Sequence, residues 1–247
     1  MKAYLSLEVT LLLIFAHRGC STQAPENTLS AFRRAFEIGA DGVELDVRRT
    51  KDGQLVVIHD PTVDRTTNGR GFVEERTLDE LKKLSIKDGE HIPTLRETLR
   101  LASEYGKMLL IDLKAVDVED KLVDEIKKYN MTDKVIVTNQ FFYCSKKIKE
   151  REPRIKTALL LFKGLNYEDE DPIELAKEFK ADYIHPAKPE DVTEELVMKA
   201  HENGIGVIAG TTDDPLEAEY LYKIGVDAVT PNKPEIYIET IKKLEKQ

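Results

Sequence analysis

The sequence predicts an α/β fold, a (β/α)8 TIM barrel with a small insertion after the second strand. Three observations lead there. Short apolar runs alternate with segments of helical periodicity along the chain. Apart from one extra extended piece at Leu55–His59, the alternation gives eight strand–helix units over 247 residues, the size usual for such a barrel. Finally, the histidines and carboxylates best suited to chemistry end apolar runs, and barrel enzymes build their sites at the C-terminal ends of their strands.

The elements follow in order. Leu11–Ala16 reads as the first buried strand. Thr28–Ile38 reads as a helix, because Leu29, Phe32, Ala35 and Phe36 recur at helical spacing, with Thr28 suited to the N-cap and Gly39 to the stop. Gly42–Val47 is the second strand. Residues 60–91 are polar and contain glycine, with a short helix at Leu78–Leu84, and read as an insertion over the mouth of the site. Further strands are expected at Met108–Leu113, Val135–Thr138, Ile155–Leu161, Tyr183–His185, Gly206–Ala209 and Ala228–Thr230. Helices are expected at Thr94–Tyr105, Val118–Tyr129, Ser145–Glu150, Pro172–Phe179, Thr193–Asn203, Pro215–Ile224 and Pro234–Leu244. No linker or low-complexity stretch interrupts the series, so one domain over residues 1–247 is expected.

Composition narrows the function classes. A hydrophobic share of 41% and a charged share of 34% are ordinary for a globular protein. A formal charge of −9 and a pI near 5.3 disfavour nucleic acid, which calls for a basic patch that this sequence lacks. An anionic substrate would need local positive charge. Cys20 and Cys144 form neither a metal spacing nor a disulfide framework, which points to a reducing, cytoplasmic setting. Val9–Ala16, preceded by Lys2, faintly resembles a signal peptide, but it is too short to span a membrane and cleavage there would damage the residues at His17. Residues 1–10 therefore read as an extension, and no transmembrane anchor is expected. The oligomeric state is not legible.

The chemistry concentrates between residues 16 and 60. In Val43-Glu44-Leu45-Asp46-Val47 the alternation places Glu44 and Asp46 on one face of a strand. Two like charges so placed repel unless a cation lies between them, and oxygen ligands suit Mg²⁺ or Ca²⁺. A solvated strand face is the plainer reading of Glu-x-Asp, but a buried parallel strand has no such face. His17 and His59 each end an apolar run and bracket the carboxylates, as a general acid and base would. Arg18 offers a fork for phosphate oxygens.

These residues resemble the glycerophosphodiester phosphodiesterase family. The likeness rests on His17-Arg18-Gly19, Pro25-Glu26-Asn27-Thr28, Glu44-Leu45-Asp46-Val47, Thr50-Lys51-Asp52-Gly53, His59-Asp60, Asp64-Arg65-Thr66-Thr67-Asn68-Gly69 and Ile92-Pro93-Thr94-Leu95. It is dense over about residues 14–114 and thinner beyond. The resemblance implies the same barrel, a small glycerophosphodiester as substrate, and a divalent cation, Mg²⁺ or Ca²⁺ with Mn²⁺ as a further candidate. It also implies His17 and His59 as the acid–base pair, and Arg18 and Lys114 as phosphate-binding residues. Glu44, Asp46 and Asp112 are then the metal ligands. Asp112 stands where the family usually has glutamate, one methylene longer, so the cation is expected to be held through water or to lie nearer the second strand.

Other departures fall in the later half. Asn139-Gln140-Phe141-Phe142 replaces a Ser-Phe, and Ala209-Gly210-Thr211-Thr212 replaces a Trp-Thr pair, so the alcohol leaving group is not fixed by the resemblance. His185 ends a strand and is expected to pack or hydrogen-bond rather than react, and Cys20 is expected to be small filler. Three other readings compete: a lysophospholipase D acting on lipid diesters, which an apolar pocket near Phe141 and Phe142 would favour; a metal-dependent barrel lyase or isomerase; and a non-catalytic binding module. The attacking group is either water or the glycerol 2-hydroxyl.

Overall fold

The structure, a computed structural model, describes residues 12–246. The expected extension and Leu11 lie outside the described residues. Among the latter, nine strands form one sheet. They are β1 (Leu13–His17), β2 (Gly42–Arg49), β3 (Leu55–Val57), β4 (Met108–Leu113), β5 (Val135–Asn139), β6 (Lys156–Leu161), β7 (Tyr183–Pro186), β8 (Gly206–Ala209) and β9 (Ala228–Val229). All except β3 pair in parallel in the order β1-β9-β8-β7-β6-β5-β4-β2, and a further β1–β2 pairing closes the ring into the expected eight-stranded barrel. β3 pairs antiparallel with the far end of β2, Val47 facing Val57, and so stands outside the ring as the extra extended piece.

Helices wrap the barrel, and their starts follow local chemistry. Thr28 caps α1 (Leu29–Glu37), its side chain accepting from the Ala31 N–H. Thr77 and Glu80 make a capping box for α2 (Leu78–Leu81), which ends three residues short of the expected Leu84. Thr94 and Glu97 do the same for α3 (Leu95–Tyr105), which stops at Gly106 with φ 65°. Then come α4 (Glu119–Lys128), α5 (Tyr143–Arg151), α6 (Pro172–Glu178), α7 (Glu194–Glu202), α8 (Pro215–Lys223) and α9 (Pro234–Leu244). The helices α6, α8 and α9 begin with proline, whose missing N–H costs nothing at that position. No helix among the described residues is long and apolar enough to cross a membrane.

Strand alternation sorts the side chains. On β2 and β4, Val43, Leu45, Val47, Leu109, Ile111 and Leu113 face outward and pack with α1, α3 and α4. The inward face is apolar low in the barrel, where Phe15, Leu110, Ile136, Ala158, Ile208 and Ala228 fill the lumen. The segment after β3 carries its own small core of Val56, Ile58, Val63, Val73, Leu81, Ile86 and Ile92, which makes the insertion a packed unit.

Candidate active site

Above that apolar plug the inward positions turn polar. Register explains which residues meet. His17 at the end of β1 stands opposite Glu44 on β2, and Asp46 on β2 stands opposite Asp112 on β4. One oxygen from each of Glu44, Asp46 and Asp112 lies within 4.8 Å of the others, and all three residues are buried. Burial, with the nearby charges of Asp46 and Asp112, pushes the Glu44 carboxyl well above the usual carboxylate range. Burial also raises Asp112, although Lys114 pulls the other way.

Two cations reach this cluster. Lys114, one residue past β4, places Nζ 2.5 Å from Asp112 Oδ2 and 3.4 Å from Asp46 Oδ1. Burial works against its charge, but Asp112 and Asp46 outweigh that and hold the ammonium protonated. Arg18 takes a left-handed backbone at φ 55°, uncommon for a residue with a side chain. That turn aims its backbone N–H at Glu44 Oε2, 3.0 Å away, while its guanidinium reaches Glu26 and lies 3.4 Å from Asp46. The next residue, Gly19, also has positive φ, and a Cβ there would come within 2.7 Å of the Ala31 backbone, so only glycine lets this loop press on α1.

The set of donors fits a hard cation. Three buried carboxylates outnumber the two cations among them, and Asp112 Oδ1 is buried without a hydrogen-bond partner. A divalent ion among Glu44, Asp46 and Asp112 would satisfy that oxygen and turn the excess of negative charge into positive charge suited to an anionic phosphate.

Both expected histidines are at this rim, each oriented by a different group. His17 Nδ1 lies 2.8 Å from Asn232 Oδ1. Asn232 Nδ2 donates to Asp213 at 3.2 Å, which fixes the amide so that its oxygen faces the ring; His17 therefore carries its proton on Nδ1 and turns Nε2, 3.9 Å from Glu44, inward. Burial lowers the pKa of His17, partly offset by the Asn232 hydrogen bond, which keeps the ring neutral near neutral pH. His59 places Nδ1 2.7 Å from Asp60 Oδ1, and its backbone carbonyl accepts from Arg48 Nε at 2.7 Å. Hydrogen bonds from Arg65, above all, hold the Asp60 carboxyl far below its usual value.

Several contributors had no role assigned from sequence. Asn27, left-handed at φ 56°, donates to Asp46 Oδ2 at 2.8 Å and accepts from the Asp46 N–H. Glu26, Asp60 and Arg65 form an ionic chain at the rim. Asn232 and Asp213 come from the loops after β9 and β8, and their only trace in the sequence is a polar residue just past a short apolar run. His185 is buried, hydrogen-bonded to Thr138 at 3.2 Å, and held neutral, with burial lowering its pKa to about 3. Cys20 packs under α1 as filler, burial pushing its thiol up to about 11. Phe141 and Phe142 do not share a pocket: Phe142 packs edge-on against Phe179 at 5.6 Å, while Phe141 lines a cleft of about 230 Å³ beside Lys114 with Arg48, Arg49, Phe72 and Glu74.

The chain resembles known proteins over most of its length. The model of the glycerophosphoryl diester phosphodiesterase family matches residues 17–236. A glycerophosphodiester phosphodiesterase of Caldanaerobacter subterraneus subsp. tengcongensis is 41% identical over 243 residues, covering 94% of this chain and 98% of the relative. Among solved structures, an Oleispira antarctica phosphodiesterase in complex with the product sn-glycerol-3-phosphate is 27% identical, with TM-score 0.82 over 93% of this chain and 96% of its own. The glycerophosphodiester phosphodiesterase of Thermotoga maritima is 28% identical, with TM-score 0.79 over 92% of this chain and 97% of its own.

Proposed function

The chain belongs to the glycerophosphoryl diester phosphodiesterase family and is a phosphoric diester hydrolase, and on that premise we propose that it cleaves small glycerophosphodiesters to glycerol 3-phosphate and an alcohol. The observation that carries the reading is the buried carboxylate cluster, one oxygen unpartnered, flanked by Arg18, Lys114 and two oriented histidines. Glu44, Asp46 and Asp112 hold a divalent cation, with Mg²⁺ or Ca²⁺ favoured and Mn²⁺ next. When bound, such an ion sets positive charge against non-bridging phosphate oxygens and offsets the charge that develops in the transition state. The Arg18 guanidinium and the Lys114 ammonium bind the remaining phosphate oxygens. His17 and His59, with Nδ1 engaged by Asn232 and Asp60, exchange protons at Nε2: one ring takes a proton from the nucleophile and the other gives one to the leaving alkoxide.

The product bound in the Oleispira relative supports glycerol 3-phosphate as the common product. The cleft beside Lys114, about 230 Å³, is smaller than the ~300–1,000 Å³ of drug-sized sites, which favours a small headgroup alcohol over an acyl chain. Cys20 and Cys144 are free thiols, consistent with a reducing, cytoplasmic setting.

A metal-supplemented hydrolysis panel tests the reading: glycerophosphocholine, glycerophosphoethanolamine, glycerophosphoinositol, lysophosphatidylcholine and a chromogenic aryl diester. Release of glycerol 3-phosphate from the glycerophosphodiesters is expected, with a cyclic phosphate appearing first if the glycerol 2-hydroxyl attacks. Turnover of the lysolipid alone, or of no diester with any of the three ions, would overturn it.

A further inference from the structure

The ionic chain at the rim converges on a single side chain. Arg65 lies in the insertion, and its guanidinium grips two carboxylates from different loops. It donates from Nε and Nη2 to Asp60 at 2.6 and 3.1 Å, and from Nη1 and Nη2 to Glu26 at 2.7 and 2.8 Å. Each carboxylate then reaches a proposed functional residue with the oxygen that faces it: Asp60 Oδ1 meets His59 Nδ1 at 2.7 Å, and Glu26 Oε1 accepts from Arg18 Nη1 at 3.0 Å. Hydrogen bonds from Arg65 are also the largest cause that lowers both carboxyls below their ordinary values.

We infer that Arg65 is a positioning residue for both halves of the reaction, holding His59 through Asp60 and Arg18 through Glu26. The inference rests on the roles proposed above for His59 and Arg18. Guanidinium geometry is what the position requires: four donor contacts to two carboxylates in one plane suit the rigid fork of arginine, and a lysine ammonium can be near both carboxylates but cannot hold them bidentately. A docking contact alone would need neither shared oxygen. Arg65 is about half exposed, with a side-chain accessibility of 47%, so its removal leaves no buried void.

Because Arg65 acts through two residues, its loss should divide. Misaligned orienting groups of this kind typically cost about 10–100-fold. The part transmitted through Asp60 belongs to proton transfer and lowers kcat. The part transmitted through Glu26 belongs to phosphate binding and raises KM.

The experiment measures kcat and KM on a glycerophosphodiester for Arg65→Gln, Arg65→Lys, His59→Ala, Arg18→Ala and the doubles of Arg65→Gln with each of the last two, alongside thermal unfolding. Arg65→Gln should lower kcat/KM about 10–100-fold with its unfolding midpoint within a few degrees of wild type, and Arg65→Lys should recover only part of the loss. In the His59→Ala background the kcat component of Arg65→Gln should vanish, and in the Arg18→Ala background the KM component should vanish. Losses that multiply unchanged in both backgrounds, full activity of Arg65→Gln, or full recovery by Arg65→Lys would each overturn the inference while leaving the roles of His59 and Arg18 standing. Wild-type activity of His59→Ala or Arg18→Ala would instead remove the premise, and the inference with it. Should Arg65→Gln not fold, Arg65→Lys with the same two backgrounds carries the test, because its ammonium keeps the charge and loses only the fork.

Discussion

The floor and the mouth of the barrel lumen are built from the same strand faces two residues apart. At the floor stand Phe15, Leu110, Ile136, Ala158, Ile208 and Ala228; two positions further along the same strands stand His17, Asp112, Thr138, Leu160, Gly210 and Thr230. Two residues of strand span about 7 Å. Within that distance the lumen passes from close-packed hydrocarbon to a cluster of carboxylates, which the floor below keeps from water. The polar side is also uneven. β2 and β4 carry the three carboxylates, whereas the opposite arc offers Leu160, His185, Gly210 and Thr230, none of them acidic. Stability and chemistry are thereby kept on separate levels of one face, so each level can be perturbed alone.

The largest effect expected at the mouth is metal removal. A cation in such a site contributes several kcal/mol to the transition state. Chelation should therefore lower turnover by on the order of 10³-fold or more, with recovery on adding Mg²⁺, Ca²⁺ or Mn²⁺. Undiminished turnover in excess chelator, with no metal found by elemental analysis, would refute the cation site. Next, His17→Ala and His59→Ala should each lower kcat by at least about 10²-fold while circular dichroism and unfolding stay unchanged. Near-normal turnover in either folded variant would remove that ring from the proton path. Asp112→Asn should cost about as much as Asp46→Asn if Asp112 holds the ion directly, and only about 10–100-fold if a water intervenes. The comparison extends to Asp112→Glu, assayed as kcat/KM with each ion: a changed ion preference would sharpen the picture of a relaxed third ligand, and wild-type behaviour of both Asp112 variants would end its role as one.

At the floor the order of effects reverses. Ile136→Ala removes a fully enclosed side chain and should destabilise by about 2–5 kcal/mol, read by denaturant unfolding, while kcat of the folded enzyme stays within about threefold. A loss of kcat as large as that of a histidine variant would show that floor and mouth are not separable. The smallest effect concerns pH. Glu44 has its carboxyl raised in the fold by burial and by its acidic neighbours, so the folded protein keeps a proton that the unfolded chain has released. Its contribution to stability is present below the ordinary carboxylate range and is lost as pH rises through the raised value. In metal-free protein, the unfolding midpoint of wild type relative to Glu44→Gln should therefore fall by a few degrees as pH rises above the ordinary carboxylate range. Added divalent cation should reverse that trend. A pH-independent difference would mean that Glu44 ionises without penalty.

Most of the barrel and the centre of its site were legible in the sequence. Alternation in Val43–Val47 and Met108–Leu113 gave the strands and told which carboxylates share a face, because strand geometry is local. Thr28 announced the helix it caps for the same reason, whereas the capping boxes of Thr77 and Thr94 were found only in the structure. Motif density around His17 and His59 located the chemistry. What the sequence could not supply was partnership across distance. Asn232 meets His17 from 215 positions away, Arg65 meets Glu26 across 39, and Asp112 meets Asp46 only because β4 joins β2 in one particular register. Phe141 and Phe142 are adjacent in sequence yet point to different surroundings, one to the cleft beside Lys114 and the other to Phe179. Periodicity states which way a side chain faces. Barrel closure, which sets the strand order and the stagger between neighbours, decides what it faces.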